Sequence, residues 1–254
     1  MHQIDVMSFL LLFVLGMVLG SFFNVIGLRV PKGQSIVAPR SHCPYCKRTL
    51  ATIELIPVLS YVWQRGRCRN CRQKISPLYP FVELAVGFGF SIMLLVFGWN
   101  MELLVALALV SLFSIIFVSD LVYMIIPDRI ILFFAILFVL FRATLAPLNP
   151  WWDAWAGAVV GYILLFIVYL IYPNGIGGGD VKLFTVLGFV LGWKLTLVAI
   201  MLSSLCGAIG GGVGMMLGRI KRREPIPFGP FIILGSLTAY LYGDALIQWY
   251  VRWL

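Results

Sequence analysis

The sequence has few charged residues. Only 11% of its 254 residues are Asp, Glu, Lys or Arg, and 61% are hydrophobic, whereas soluble globular domains have about 25% charged residues. The mean hydropathy is +1.01. These values exclude an ordinary soluble domain and predict a chain that crosses a lipid bilayer several times.

Histidine and nucleotide-binding signatures are also scarce. His2 and His42 are the only histidines, and no serine lies in a nucleophile elbow. The sequence therefore does not indicate a Ser–His–Asp triad. No G-x-G-x-x-G follows a strand pattern, which excludes an ordinary nucleotide-binding domain. The net charge of +9 is not accompanied by any nucleic-acid-binding motif, so nucleic acid is not an expected partner.

Long apolar segments are what the sequence does have. At about 20 residues per span, they predict an all-α polytopic membrane protein with about eight transmembrane helices. The first is expected to be retained because no signal-peptide cleavage site follows it. Whether the sixth and seventh spans are separate stays open, because the sixth is short. The spans are expected near residues 6–28, 78–97, 101–119, 129–147, 154–172, 181–193, 196–218 and 230–250.

The basic residues predict the orientation of these spans. Ten of the nineteen Lys and Arg residues fall between Arg29 and Lys74, and four more fall between Arg219 and Arg223. Short loops rich in Lys and Arg remain in the cytoplasm. With eight spans, both basic loops are cytoplasmic, and so are the segments that carry Asp120 and Asp180. The two acids are therefore expected at the same depth.

A cysteine-rich loop separates the first two spans. The predicted regions are a first transmembrane helix (1–28), a small cytoplasmic loop domain (29–77) and a membrane core of about seven helices (78–254). The loop has two C-x-x-C motifs separated by 21 residues, a spacing close to that of four-cysteine zinc sites. Cytoplasmic thiols stay reduced, so a structural zinc is predicted, with a redox pair or metal-free turns as alternatives. The expected ligands are Cys43, Cys46, Cys68 and Cys71, whereas Cys206 is expected to pack.

A glycine-rich segment from Asn174 to Lys182 carries Asp180 between two apolar segments. Ionisable residues at membrane depth usually serve a function, and irregular backbone there lines a cavity or is buried. Two neighbouring carboxyl groups that share one proton can activate water, as in an aspartic protease. The pair Asp120 and Asp180 is the catalytic hypothesis. An ion- or proton-coupled transporter, or a zinc-organised scaffold with dispensable acids, remains an alternative.

The other acids have simpler interpretations. Asp128 is expected to cap the helix that it begins. Glu83 lies inside a predicted span and needs a partner, for which Lys182 or an arginine is a candidate. The glycines between 207 and 218 are expected to let helices pack closely. The acids expected to be solvated caps at span ends are Asp5, Glu102, Asp153 and Asp244.

Several motifs together resemble type IV prepilin leader peptidases, the membrane aspartic peptidases of the G-x-G-D class. The resemblance covers nearly the whole chain. Its motifs are Gly20-Ser21-Phe22-Phe23-Asn24-Val25 with Arg29, the two C-x-x-C motifs with Glu54-Leu55-Ile56-Pro57-Val58-Leu59-Ser60 and Gly66-Arg67-Cys68-Arg69, Asp120 with Ile126-Pro127-Asp128, Gly177-Gly178-Gly179-Asp180-Val181-Lys182, and Pro227-Phe228-Gly229-Pro230-Phe231.

The resemblance implies that Asp120 and Asp180 are catalytic and that Gly177, Gly179 and Lys182 support the catalytic loop. It implies prepilin or pseudopilin substrates of a type IV pilus, competence or secretion system. Cleavage would occur on the cytoplasmic side of a bacterial inner membrane. It also implies N-methylation of the new N-terminus with S-adenosylmethionine, an activity associated with the cysteine-bearing loop. Asn24, Arg29 and Glu54 match family motifs as helper residues.

Overall fold

A computed structural model describes residues 5–172, 175–218 and 226–253 of the chain. These residues are mostly helical, and they contain no β-strand longer than an isolated bridge. His2, Asn174 and the basic cluster from Arg219 to Arg223 lie outside the described residues. The predicted all-α fold class is confirmed.

Nine α-helices follow one another along the described residues. A single π-helical turn, Phe141–Leu145, extends the fifth, and short 3-10 turns lie at Val30–Lys32 and Thr52–Leu55. The helices are α1 (Val6–Arg29), α2 (Leu59–Trp63), α3 (Leu78–Phe97), α4 (Met101–Tyr123), α5 (Asp128–Leu140), α6 (Asp153–Ile171), α7 (Gly178–Leu191), α8 (Trp193–Met216) and α9 (Gly229–Val251).

All eight predicted spans are helical. Six of the corresponding helices in the described chain are long and apolar enough to cross a membrane. The other two, α5 and α7, have 13 and 14 residues. Gly192 separates α7 from α8 with a φ of 78°, a left-handed conformation that glycine adopts without steric cost. The sixth and seventh predicted spans are therefore two helices.

The chain forms two compact units, one ending at Ser119 and the other beginning at Asp120. In the first unit, α1 packs against α3 through small residues. A Cβ atom built on Gly16 would lie 2.8 Å from the Cα of Gly87, and one on Gly87 would lie 3.0 Å from the carbonyl oxygen of Phe13. Small residues allow this close approach between membrane helices.

In the second unit, α6 and α7 approach even more closely. A Cβ atom on Gly157 would lie 2.1 Å from the carbonyl oxygen of Gly188, and one on Gly161 would lie 2.3 Å from that of Phe184. Helices α8 and α9 meet where Gly235 faces Ser203. Helix α7, which carries Asp180, is therefore held by direct backbone contact along one side.

Polar contacts fix the other end of α7. The buried Arg142 donates from Nε and Nη2 to the carbonyl of Val190, at 3.1 and 2.7 Å. A cation at a helix C-terminus is favourable because it pairs with carbonyls that have no partner in the helix. Asp153 accepts the N–H of Trp193 at 3.1 Å. Asp153, which is expected to be a cap at a span end, therefore caps the start of α8.

We expect Gly157→Ala to destabilise the protein. The added methyl group would overlap the backbone of α7, and overpacking a filled interface typically costs about 1–3 kcal/mol. The midpoint of thermal unfolding in detergent should fall by several degrees. Gly212→Ala is the matched control, because a Cβ atom on Gly212 meets nothing within 4 Å. Equal midpoints for the two variants would contradict the close packing of α6 and α7.

Candidate active site and cysteine centre

Asp120 lies in the last turn of α4 and is 5% exposed. Its Oδ2 accepts the N–H of Gly229, the first residue of α9, at 2.7 Å. A Cβ atom on Gly229 would lie 2.7 Å from that same oxygen. Only a glycine allows the start of α9 to come so close to this carboxyl group.

Asp180 is the third residue of α7 and is 7% exposed. Its Oδ2 accepts the N–H of Gly177 at 3.0 Å, and its own N–H donates to the Gly177 carbonyl at 3.0 Å. The first of these bonds is one half of a capping box, in which the side chain of the third helical residue satisfies the N–H of the N-cap residue. Glycine has no side chain to form the other half. Gly177 therefore orients the carboxyl group of Asp180.

The structure brings Asp120 and Asp180 close enough for their charges to interact. Among the described residues, neither Oδ1 atom has a hydrogen-bond partner. Each acid is thus held through one oxygen and keeps the other available for a proton or a water molecule. This arrangement can perform acid–base chemistry of the kind that two neighbouring carboxyl groups support.

Two further contacts fix the start of α7. A Cβ atom on Gly179 would lie 2.9 Å from Cβ of Ile126. The segment between α4 and α5 therefore packs directly against the backbone of Gly179. Lys182 donates to both carboxylate oxygens of Asp128 at 2.8 Å. Lys182, the candidate partner of Glu83, therefore pairs with Asp128 instead. Asp128 lies in the first turn of α5, and the N-cap residue is Pro127.

Glu83 has a different partner from the one expected. In the first unit, its Oε2 accepts the N–H of Val58 at 2.7 Å, and the Ser21 side chain also hydrogen-bonds to it. Val58 has a φ of 60°, which is rare for a β-branched residue. Asn24 donates from Nδ2 to the Tyr79 carbonyl at 3.2 Å. Both side chains therefore connect elements within the first unit.

The two C-x-x-C motifs fold into matching turns. In each, the N–H of the first cysteine donates to the carbonyl five residues later, at 3.0 and 2.9 Å. The residue after the second cysteine has a positive φ, 60° for Lys47 and 57° for Arg72. The isolated bridges enclosing the turns, His42–Thr49 and Arg67–Lys74, occupy equivalent positions. The loop thus contains a structural repeat.

The four cysteines of these turns form one cluster. Their sulfur atoms all lie within 4.8 Å of one another, with Cys43 and Cys71 3.8 Å apart and Cys46 and Cys68 4.0 Å apart. Sulfurs at about 2.3 Å from a tetrahedral metal are about 3.8 Å apart. The cluster could therefore bind a metal ion.

Backbone groups favour thiolates in this cluster. Hydrogen bonds from the Arg48 backbone and from Asn70 lower the pKa of the Cys46 thiol to about 6. Hydrogen bonds from the backbones of Cys71 and Asn70 lower the pKa of Cys68. The pKa of Cys71 is raised to about 11, because burial and the neighbouring thiols outweigh a hydrogen bond from the Gln73 backbone. Thiolates are the form that binds metals.

Glu54 connects the two turns. It is 6% exposed and accepts a hydrogen bond from Arg48, beside the first turn, while Arg69 of the second turn approaches to 3.9 Å. Burial alone would raise the pKa of Glu54, but the Ala51 N–H and the two arginines together lower it. Glu54 therefore holds the cysteine turns together as a buried anion.

A cavity of about 610 Å³ lies beside the cysteine cluster in the first unit. Three tyrosines and three cationic side chains contribute to its lining, together with the first cysteine of each turn. The tyrosines are Tyr45, Tyr61 and Tyr79, and the cations are Arg65, Arg67 and Lys74. Pockets of 300–1,000 Å³ with aromatic walls and a few polar groups are typical of small-molecule sites.

Comparison with known proteins places this arrangement in a family. Residues 14–97 match the model of the bacterial peptidase A24 N-terminal domain, and residues 107–212 match that of the type IV leader peptidase family. A Bacillus subtilis (strain 168) protein is 43% identical over 242 residues, which cover 95% of this chain and 97% of that relative. The chain belongs to the type IV leader peptidase family. The resemblance seen in the sequence motifs is confirmed.

Other members of the leader peptidase family are similar over nearly the same length. A protein of Aeromonas salmonicida (strain A449) is 34% identical over 288 aligned residues, covering 98% of this chain and 96% of the relative. Both relatives are named prepilin leader peptidase/N-methyltransferase. No solved structure matches the chain at a significant level. Neither relative is a transporter, so the transporter alternative has no support.

Sequence reasoning found both acids and the glycines of the α7 start, but it missed Gly229 as a neighbour of Asp120. The only signal was the Pro227-Phe228-Gly229-Pro230-Phe231 motif, whose glycine precedes a proline at a helix start. The contact joins residues 109 positions apart. No local pattern predicts a hydrogen bond over that separation.

We expect Glu54→Gln to weaken metal retention by the cysteine cluster. The substitution removes the anion that pairs with Arg48 and Arg69, and a hydrogen bond to a charged group contributes about 1.5–3 kcal/mol. Metal transfer to a chromogenic chelator should become about tenfold faster. Asp244→Asn, an exposed position in α9, is the control. Unchanged transfer in Glu54→Gln would show that Glu54 does not hold the two turns together.

Proposed function

We propose that this protein is a membrane aspartic endopeptidase that removes the leader peptides of type IV prepilins or pseudopilins. The observation that carries the proposal is the pair of buried carboxyl groups, Asp120 and Asp180, each oriented by one glycine N–H. The names of the relatives supply the substrate class. The packing that holds α7 in place supports a preorganised site rather than two incidental acids.

The proposed mechanism uses one shared proton. Two carboxyl groups whose charges repel each other cannot both ionise easily, so one acid retains its proton and hydrogen-bonds to the scissile carbonyl. The other, as a carboxylate, takes a proton from a water molecule, whose oxygen attacks the carbonyl carbon. The tetrahedral intermediate then collapses, the C–N bond breaks, and the leaving amine takes the proton that the second acid accepted from water. No covalent intermediate with the protein is required.

The position of the acids in the sequence suggests where cleavage occurs. Asp120 is in the last turn of an apolar helix and Asp180 is in the first turn of another, so both lie near one end of their spans. The basic loop supports a cytoplasmic location for that end in a bacterial inner membrane. A bond just outside the transmembrane helix of a pilin could reach acids at this depth.

We expect Asp120→Asn and Asp180→Asn each to abolish leader removal. Asparagine has nearly the same shape but cannot exchange the proton, and loss of general acid–base catalysis costs about 10²–10⁴-fold. Purified protein in detergent is incubated with a prepilin, and the mobility shift is followed. Asp244→Asn is the control, and a thermal midpoint near that of the wild type shows that each variant folds. Continued cleavage by either asparagine variant would contradict the mechanism.

We further propose that the first unit performs N-methylation of the new N-terminus. Asp120 and Asp180 both fall within the matched peptidase segment. The N-terminal domain contains neither acid, so we assign to it the N-methyltransferase activity in the relatives' names. S-adenosylmethionine supplies an activated methyl group on a sulfonium centre. The cavity beside the cysteine cluster has groups that suit this ligand: tyrosine rings can stack on adenine and face the sulfonium, and Arg65, Arg67 or Lys74 can pair with its carboxylate.

The metal of the cysteine centre is proposed to be zinc with a structural role. Four thiolates would complete a tetrahedral shell and leave no open position for chemistry. A loop of this size buries too little apolar surface to fold by itself, so metal binding would supply part of its folding free energy. Metal analysis of the purified protein should give one zinc, lost when Cys43 and Cys71 are replaced by serine.

We expect Arg67→Gln and Tyr61→Leu to weaken binding of S-adenosylmethionine about tenfold, since each removes one contact of about 1.5 kcal/mol. Equilibrium dialysis with the labelled cofactor measures the dissociation constant directly, without methyl transfer. Tyr250→Leu, at an exposed position of α9 outside the cavity, is the control. Wild-type affinity in both cavity variants would exclude this cavity as the cofactor site.

A further inference from the structure

We propose that the backbone N–H of Gly229 positions the Asp120 carboxyl group for catalysis, so that the start of α9 is part of the active site. The inference rests on the proposed peptidase function for its catalytic meaning. The hydrogen bond itself, at 2.7 Å, can be tested without any activity measurement.

The position of Gly229 in its helix explains why its N–H is free to donate. It is the first residue of α9, and the first N–H groups of a helix have no partner within that helix. Pro230 follows and has no N–H group, so the start of α9 directs a single donor at Asp120 rather than a set of competing donors. The positive end of the helix dipole also favours a carboxylate at this place.

The space around Gly229 shows why no other residue fits. A Cβ atom there would lie 2.7 Å from Oδ2 of Asp120 and 3.0 Å from both its Cβ and its Cγ. Contacts of this kind force atoms to move, and Asp120 is buried with little room to do so. A side chain at position 229 would therefore displace the carboxyl group, even though its own N–H group would remain.

Two phenylalanines on either side of Gly229 hold the start of α9 against α8. A Cβ atom on Gly207 would lie 2.9 Å from the ring of Phe228, and one on Gly210 would lie 2.5 Å from the ring of Phe231. The rings thus fill the space that these glycines leave open. This packing holds the Gly229 N–H in one place relative to α8. A residue that positions Asp120 has to be held in this way.

The two acids are oriented in different ways. Gly177 lies in the same turn as Asp180, so that hydrogen bond forms whenever the start of α7 forms. The bond from Gly229 to Asp120 depends on tertiary packing of α9. Asp120 is consequently the acid whose orientation can be changed by a substitution in another helix.

The kinetic test compares Gly229→Ala with Gly212→Ala, whose Cβ atom meets nothing within 4 Å. We expect Gly229→Ala to lower kcat about 10- to 100-fold, the range for weakening a hydrogen bond to a charged group, with an unchanged KM for the prepilin. The added methyl group should also lower the thermal midpoint, so kcat is measured at a temperature at which the variant is folded. A kcat equal to that of Gly212→Ala would overturn the proposal. So would an equal fall in kcat in Gly235→Ala, whose added Cβ atom would overlap Ser203 instead of Asp120, since this indicates only a packing role.

An NMR measurement keeps the proposal testable if Gly229→Ala does not fold. The sequence has three Phe–Gly pairs, at 88–89, 97–98 and 228–229, so labelling phenylalanine carbonyls with ¹³C and glycine amides with ¹⁵N selects three signals. We expect Asp120→Asn to shift the Gly229 amide proton upfield while Gly89 and Gly98 stay unchanged. An unmoved Gly229 signal would overturn the hydrogen bond. Cleavage by Asp120→Asn would instead overturn the proposed function.

Discussion

A carboxyl group buried among apolar helices needs hydrogen-bond donors, and helix starts are the places in such a protein where backbone N–H groups are free. Asp120 and Asp180 both meet this need with a glycine N–H, from the first residue of α9 and from the residue before α7 respectively. Much of the packing in the second unit holds the starts of α7 and α9 in place. The glycine contacts between α6 and α7, the cap from Arg142 and the Lys182–Asp128 pair all fix α7.

The same reliance on polar anchors appears in the first unit. Glu54 holds the two cysteine turns together through arginines, and Glu83 holds Val58 in an unusual backbone conformation. Neither acid needs a catalytic role to explain its burial. The matched peptidase segment contains Asp120 and Asp180, whereas the cysteine cluster and its neighbouring cavity fall in the N-terminal match. The two proposed activities thus draw on separate sets of residues.

The helices could be predicted from sequence because each depends on a local property, the length of an apolar segment. All eight segments are helical, and the break at Gly192 settles the one segment whose separation was open. The cysteine cluster was also predictable, because two C-x-x-C motifs at this spacing are typical of a four-cysteine metal site. The partners of Lys182, Glu83 and Asp120 were not, since each is joined to residues far away in the chain. Those pairings arise from helix packing, which composition and periodicity do not specify.

The central claim is that Asp120 and Asp180 act as one unit on the scissile bond. Its most direct test is the affinity of a prepilin peptide whose scissile amide is replaced by a hydroxyl-bearing tetrahedral isostere. Analogues of this kind bind at least about 10²-fold more tightly than substrate when the site is complementary to the transition state. The account predicts that this gain in affinity disappears in both Asp120→Asn and Asp180→Asn. Retention of the gain in either variant would contradict it.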